Sequence, residues 1–148
     1  MNLTHESQTR SDLLAIFVNS GLNTKNLEFE PGTMLYEHGS PPGGLLFIMS
    51  GRVRTFLPVG QENIEIEKIG PGQCMGLPAV ISGENSELSA MAENKVNAVF
   101  ISRNEVSAAL LANPRLYLAI NPFLSEAVSC AYKHIRKLRS VRQVRALA

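Results

Sequence analysis

The sequence predicts a mainly β domain, an antiparallel sandwich or barrel flanked by helices, from two observations. Between residues 27 and 102, short apolar or alternating runs are separated by glycine and proline turns about every 8 to 12 residues, which is typical of such folds. Ten of the 11 glycines lie in this stretch. On either side of it the apolar residues recur at the spacing of a helix.

The first predicted element is a short helix over residues 11–21, which follows a flexible N-terminus at residues 1–10. Ser11 can cap the helix, and Gly21 can end it. Its apolar residues fall at helical spacing, so we expect one buried face made of Leu13, Leu14, Phe17 and Val18.

The strands differ in their expected exposure. Residues 45–49 are continuously apolar, which predicts a strand covered on both faces, whereas Ile64 and Ile66 alternate with polar residues, which predicts a half-exposed one. Further strands are predicted at residues 52–56 and 95–102. Together these strands fit a closed roll.

Two helices are predicted after the strands. Ser102 and Glu105 form a capping box for a helix over residues 103–112, which ends at Asn113-Pro114. Asn121-Pro122 then predicts an N-cap and a first helical residue, and no glycine or proline follows, so this helix can run from 122 nearly to Ala148. Its coiled-coil spacing predicts a homodimer through the seam of Leu124, Val128, Ala131, Ile135 and Leu138.

Composition excludes several classes of protein. The 148-residue chain is 45% hydrophobic with a formal net charge of +1, and it is large enough to bury a core without disulfides or structural metal. It has two cysteines and no C-x-x-C pair, no signal-peptide core and no apolar run of membrane-spanning length. We therefore expect a cytoplasmic protein without a membrane partner.

Charge is unevenly distributed along the chain. Residues 1–113 carry 7 basic and 12 acidic side chains, and residues 114–148 carry 7 basic and one acidic. The basic C-terminal segment fits either a solvated helix whose cations lie near its negative end, or contact with nucleic acid.

No catalytic or metal-binding constellation is evident. The sequence lacks G-x-S-x-G, a P-loop and the His-x-His cluster that jelly-roll metalloenzymes need, so we expect neither an enzyme nor a metal site. Cys74 can be a small buried hydrophobe or a redox or ligand-sensing thiol. A haem held by Cys74 with His38 or His134 has no ligand spacing in its favour.

An ordered series of glycine motifs carries a family resemblance over residues 11–140. The series is Phe29-x-Pro31-Gly32, Tyr36-x-x-Gly39, Leu46-Phe47-Ile48-x-x-Gly51-x-Val53 and Ile69-Gly70-Pro71-Gly72-x-x-x-Gly76. It resembles the cyclic-nucleotide-binding-domain family, in particular the sensors of the bacterial catabolite activators and fumarate-nitrate regulators. The resemblance implies an antiparallel jelly-roll barrel (a double-stranded β-helix) over residues 11–120 and a long dimerisation helix over 121–148.

The resemblance also locates a candidate ligand site, the phosphate cassette at residues 72–92. The family has a glycine, a glutamate for the ribose, a short helix whose amides face the phosphate, an arginine for its charge, and a Ser or Thr before an alanine. Here Leu77 stands at the glutamate position and Leu88 at the arginine position. The candidate binding residues are Gly76, Leu77, Pro78, Ala79, Leu88, Ser89 and Ala90.

The two leucines change the expected ligand. Without a ribose acceptor or a countercharge, a phosphate would be poorly compensated for its lost hydration, so we expect no binding of classical cyclic AMP or cyclic GMP. We expect Met75 and Val80 to line the pocket, and recovery of binding to require both missing charges. Three other residues could supply the countercharge: Arg52, Arg54 and His38. Strand alternation points the side chains of Arg52 and Arg54 outward. Weaker candidates for the site lie on the last helix: Ser125, Ser129, Cys130 and Tyr132.

Two functional interpretations remain open. The first is the ligand-sensing domain of a bacterial transcription regulator, holding a small effector, either a cyclic nucleotide or another molecule, in the jelly-roll pocket. The alternative is a ligand-independent dimerisation or interaction module with a filled pocket. No cofactor is indicated, and DNA is expected as a partner only if a DNA-binding domain follows Ala148 in a longer protein.

Overall fold

A computed structural model describes residues 13–41 and 43–123. Residues 13–19 form helix α1. Eight strands follow, interrupted by helix α2 at Leu77–Ser82: β1 Lys25–Phe29, β2 Met34–Tyr36, β3 Gly44–Ser50, β4 Val53–Val59, β5 Glu62–Ile69, β6 Cys74–Met75, β7 Ser89–Ala92 and β8 Val96–Ser102. Helix α3 covers Arg103–Ala112, and residues 116–123 belong to helix α4.

The strands form two antiparallel four-stranded sheets, which confirms the predicted jelly-roll class. The first sheet has the order β1-β8-β3-β6 and the second sheet has the order β2-β7-β4-β5. Consecutive strands β4 and β5 form a hairpin, whereas the other neighbours in each sheet are distant in sequence. Such long connections between antiparallel strands are typical of jelly rolls.

Two hydrophobic cores form on opposite faces of the first sheet. Strand β3 contributes to both, since Leu45 and Phe47 contact the helices while Leu46 and Ile48 face the second sheet. This explains why its sequence is continuously apolar. We call the two cores the helix-side core (mainly Leu13, Phe17, Leu45, Phe47, Leu77, Val80, Ile101, Val106, Leu110 and Ile120) and the roll core (Leu46, Ile48, Val53, Ile69, Met75, Ala90, Ala92, Val96 and Ala98).

Helix α1 has a different buried face from the predicted one. Leu13 and Phe17 are buried as expected, but Val18 is 49% exposed. Leu14 packs against the helix-side core as expected, and Ile16, which was not predicted, also packs there. A helix of two turns meets the sheet along a narrow stripe, so the residue next to Phe17 is turned away from it.

Helix α3 begins and ends as predicted. The Ser102 hydroxyl accepts a hydrogen bond from the Glu105 amide at 3.2 Å, which is half of the capping box. The Glu105 carboxylate does not return to the Ser102 amide. It accepts hydrogen bonds from the backbone and side-chain nitrogens of Asn23, both at 3.3 Å, and thereby ties the connection after α1 to α3.

The last helix begins earlier than the sequence predicts. Asn121 and Pro122 lie inside the helical residues 116–123, so the expectation that they start the helix was wrong. Asn113-Pro114 both ends α3 and begins the next turn, because the Leu116 and Tyr117 amides donate to the carbonyls of Asn113 and Pro114. Proline is favoured in such a first turn, where its missing N–H is not needed. The predicted dimer seam lies outside the described residues.

Candidate functional site

The cassette is built from β6, the six-residue helix α2, a connecting segment and β7. Gly76 precedes α2 with φ +93°, and its carbonyl accepts a hydrogen bond from the Val80 amide at 3.0 Å. A side chain there would meet the backbone of β3, since an ideal Cβ would stand 2.7 Å from the Gly44 carbonyl oxygen. Both the dihedral angle and the close approach therefore require glycine.

The two leucines of the cassette lie in different environments. Leu77 is 5% exposed and belongs to the helix-side core with Val80. Leu88 is half-buried and comes one residue before β7. It lies in a bend and not in the strand, whereas Ala90 on β7 belongs to the roll core. Met75 belongs to the roll core and Val80 to the helix-side core, so the expectation that both line one pocket was wrong.

Ser89 has a structural partner that the sequence did not reveal. Its hydroxyl accepts a hydrogen bond from the His38 amide at 3.0 Å. Next to it, the Gly39 amide donates to the Ser86 carbonyl at 2.8 Å and the Ser86 amide donates to the Ser40 carbonyl at 2.9 Å. These three hydrogen bonds connect the turn after β2 to the cassette. The glycines and prolines of residues 39–44 predicted a turn there, but not the residues that the turn contacts.

The remaining predicted site residues lie in α2 and β7. Ala90 is fully buried, with Tyr36 and Thr55 as its partners on the neighbouring strands. Ala79 is half-buried and Pro78, in the first turn of α2, is exposed. The structure thus places Ala90 in the roll core, whereas Leu77 packs in the helix-side core.

Arg54 is bound on the outside of the roll, as strand alternation predicts. Its Nε lies 3.0 Å from Glu65 Oε1 and its Nη2 3.2 Å from Glu65 Oε2, and its guanidinium stands 5.3 Å from the centre of the Phe56 ring. The hydrogen bond to Glu65 and the charge of that carboxylate raise the pKa of Arg54. Its neighbours on β4, Val53 and Thr55, are buried on the other face.

The other proposed sources of countercharge are also directed elsewhere. Arg52 is exposed and lies 4.0 Å from Glu93, which also pairs with Lys68 at 3.5 Å. His38 is exposed and contacts the cassette through its backbone amide. The charged side chains within the cassette sequence are those of Glu84 and Glu87, and both are acidic.

A row of side chains on the enclosed face of the second sheet escaped the sequence analysis. The strand register places Tyr36 opposite Ala90, Ala90 opposite Thr55, and Thr55 opposite Glu67. Directly opposed residues of antiparallel strands point to the same face. Since Ala90 and Thr55 are buried, Tyr36 and Glu67 also face inward, and we call these four residues the inner row.

The inner row is polar at two places. The Thr55 hydroxyl both accepts from the Glu67 amide and donates to the Glu67 carbonyl, each at 3.1 Å. Burial raises the pKa of Tyr36 far above its ordinary value, and the nearby Glu67 and Cys74 raise it further. The Tyr36 phenol is therefore a neutral hydroxyl at neutral pH.

Cys74 is half-buried against the helix-side core, and its thiol lies 3.8 Å from the Met75 carbonyl. Within residues 13–41 and 43–123, no group of three or more His, Cys, Asp or Glu side chains could hold a metal ion. Over the same residues no helix has the length and apolar character to cross a membrane. His134 and the weaker candidates Ser125, Ser129, Cys130 and Tyr132 lie outside the described part of the chain.

Comparison with known proteins assigns the family. The cyclic nucleotide-binding domain family matches residues 26–113, which is more than half of the chain. The chain therefore belongs to the cyclic nucleotide-binding domain family, as its glycine motifs predicted. No curated protein matches the sequence.

Solved structures share the fold at low sequence identity. The catabolite activator protein of Thermus thermophilus superposes with a TM-score of 0.68 at 17% identity, covering 86% of this chain and 59% of that one. The N-terminal domain of a transcriptional regulator from Streptomyces coelicolor A3(2) gives 0.62 at 15%, covering 87% and 86%. The cGMP-bound EAL enzyme Bd1971 gives 0.59 at 18%, covering 81% of this chain and 32% of that one.

Proposed function

We propose that this chain is a regulatory, non-catalytic ligand-sensing domain whose pocket does not bind classical cyclic nucleotides. The observation that carries the proposal is Leu88, a half-buried apolar residue at the position where the family resemblance implies an arginine. Arg54, the best-placed alternative cation, is held by Glu65 on the outside. Regulators among the similar structures support the regulatory role.

The missing arginine charge strongly weakens the expected binding of a phosphate group. A hydrogen bond to a charged group contributes about 1.5 to 3 kcal/mol, and an unpaired anion also loses hydration when it enters a pocket. Losing the arginine and the ribose acceptor together weakens binding by roughly two to four orders of magnitude. An effector without a phosphate is not penalised in this way.

Replacing Leu88 with arginine is expected to raise the affinity for cyclic AMP by about tenfold to a hundredfold, since it returns one charge-assisted contact. Calorimetric titration of the full chain measures the gain. Leu88→Gln is the matched control, because it is long and polar but uncharged, and it should give no gain. Equal affinities for the two variants would show that position 88 does not face the phosphate.

We also propose that the domain works as a homodimer formed by residues 121–148. The heptad spacing of five apolar residues, from Leu124 to Leu138, supports this partner. The chain covers 59% of the length of the Thermus protein. We propose DNA as a partner only where a DNA-binding domain of a longer protein makes the contact. In that setting the location would be the cytoplasm of a bacterium.

The dimer has a direct test. Ile135→Asp introduces a charge in the middle of the seam and is expected to convert a micromolar dimer into a monomer, because a buried unpaired carboxylate opposes association. Sedimentation velocity distinguishes the two. Arg136→Asp, one residue away and off the seam, should leave the dimer intact, and a monomeric wild-type chain would refute the proposal.

A further inference from the structure

We infer that the homodimer interface begins on helix α4, at Tyr117, and that Asn121 fixes its register by pairing with its counterpart in a second copy of the chain. The inference names the contact surface of the proposed homodimer and therefore rests on the proposed function. It starts from the exposed face of α4, the last part of the chain that the structure describes.

Helix α4 has a buried face and an exposed face. Leu116, Ile120 and Phe123 are buried in the helix-side core, at the spacing of one helix face. Tyr117 and Asn121 follow Leu116 and Ile120 by one residue each, and both are exposed. One residue turns a helix by about 100°, so these two side chains lie on a track beside the buried one.

The exposed face is apolar at its start. Tyr117 is 47% exposed, and the adjacent Leu118 is 77% exposed. Neighbouring exposed apolar side chains indicate a contact surface more strongly than single ones do. The chain continues for 25 residues after Phe123, and these residues carry the predicted dimer seam. The exposed face of α4 therefore directly precedes the segment that we propose to form the dimer.

The seven-residue spacing of the predicted seam includes Tyr117 and Asn121. The d positions are Tyr117, Leu124, Ala131 and Leu138, and the a positions are Asn121, Val128 and Ile135. These positions alternate by four and three residues, as in a coiled coil. The two additional residues lengthen the pattern from about two heptads to about three, the length at which it becomes indicative of a coiled coil.

The residue types at these positions favour a parallel pair of identical chains. β-Branched residues at a and leucine at d favour two parallel strands. Val128 and Ile135 are β-branched, and Leu124 and Leu138 occupy d positions. In a parallel pair in register, each a position faces the same position of the other chain, so Asn121 meets its counterpart.

Asn121 is the polar residue among the a positions. Its carboxamide has both donors and acceptors, so two copies in register can satisfy each other. A shifted or antiparallel pairing would bury the carboxamide against an apolar residue such as Val128 and leave it without a hydrogen bond. A single asparagine at an a position therefore specifies register at a cost in stability. Pro122 falls at a b position, so its ring does not lie between the two chains.

Disulfide cross-linking in a glutathione redox buffer tests where the interface begins. Tyr117→Cys, combined with Cys74→Ala and Cys130→Ala, is expected to form a covalent dimer, because two cysteines bridge only when their Cα atoms lie within about 7 Å. Ala119→Cys in the same background is the matched control, since Ala119 is also exposed but lies off the seam. If a non-reducing gel shows equal cross-linking of the two variants, the interface does not begin at Tyr117.

Adding Asn121→Val to the Tyr117→Cys chain tests the register. Valine suits an a position, so the dissociation constant of the dimer should fall by about tenfold. The cross-linked fraction should nevertheless decrease, because pairings in other registers no longer bury an unsatisfied carboxamide. An unchanged or larger cross-linked fraction would show that Asn121 does not fix the register.

Sedimentation velocity separates this inference from the proposed homodimer. Tyr117→Ser is expected to raise the dissociation constant of the dimer by about tenfold, as for an aromatic residue at an interface. Val18→Ser, at an equally exposed apolar position on α1, should leave it unchanged. A dimeric wild-type chain with no effect of Tyr117→Ser contradicts the inference alone, whereas a monomeric wild-type chain contradicts both. Circular dichroism identifies any variant that has lost its fold, and the cross-linking result then decides.

Discussion

Replacing Gly76 with alanine is expected to lower the free energy of unfolding by about 3 kcal/mol or more, the range of the most damaging single substitutions. Two effects add. Its φ of +93° is a conformation that alanine adopts at a cost, and the new Cβ would stand 2.7 Å from the Gly44 carbonyl oxygen. That oxygen belongs to the backbone of β3, which pairs with β8 and cannot retreat easily. Urea unfolding measures the loss.

Gly39→Ala is the matched control, because it isolates the cost of the dihedral angle. Gly39 has φ +83°, and nothing lies within 4 Å of the position its Cβ would take. It should therefore lose only the backbone term, about 1 kcal/mol. Equal losses at the two positions would mean that α2 and β3 are not in contact at Gly76, and the described geometry of the cassette would be wrong.

Leu77→Glu is expected to destabilise the domain by about 3 to 5 kcal/mol, because it removes a buried leucine and places a carboxylate in the helix-side core. Leu77 is 5% exposed, and its neighbour Val80 is 4% exposed. The control is Leu88→Glu, which makes the same change at a half-buried position and should cost less than about 2 kcal/mol. Chemical denaturation of both variants gives the comparison, and a smaller loss at position 77 would refute the placement of Leu77.

The burial of Leu77 changes which substitution is expected to recover cyclic-nucleotide binding. From the sequence we expected that recovery of cyclic-nucleotide binding would need both Leu77→Glu and Leu88→Arg. Since Leu77 packs in the helix-side core, the glutamate would destabilise the fold on which binding depends. Leu88→Arg alone is the better experiment.

Local patterns predicted most of the elements, and the failures have physical causes. The capping box at Ser102 and the stop at Asn113-Pro114 act within one turn, so sequence alone locates α3 correctly. The start of α4 was misplaced because the chain contains two Asn-Pro pairs, at 113–114 and 121–122, with the same local signal. Packing of Leu116 and Ile120 in the helix-side core favours the first, and that contact is not local.

The site was predicted only where a motif is contiguous. The sequence predicts Gly76, Leu77, Leu88, Ser89 and Ala90 from one stretch. It does not predict the directions of their side chains, and Leu77 and Ala90 pack in different cores. The inner row spans four strands, and its register includes a bulge at Ile66 that alternation cannot reveal. Glu65 and Glu67 look equivalent in the sequence, yet they lie on opposite faces of the sheet.

The most direct test of the account is a calorimetric titration of the wild-type chain with cyclic AMP and cyclic GMP. With leucines, Leu77 and Leu88, at the positions where the family resemblance implies a glutamate and an arginine, we expect dissociation constants of about 1 mM or weaker for both. A dissociation constant below about 50 μM for either nucleotide would require most of the charged contacts that the site lacks, and it would contradict the proposed function.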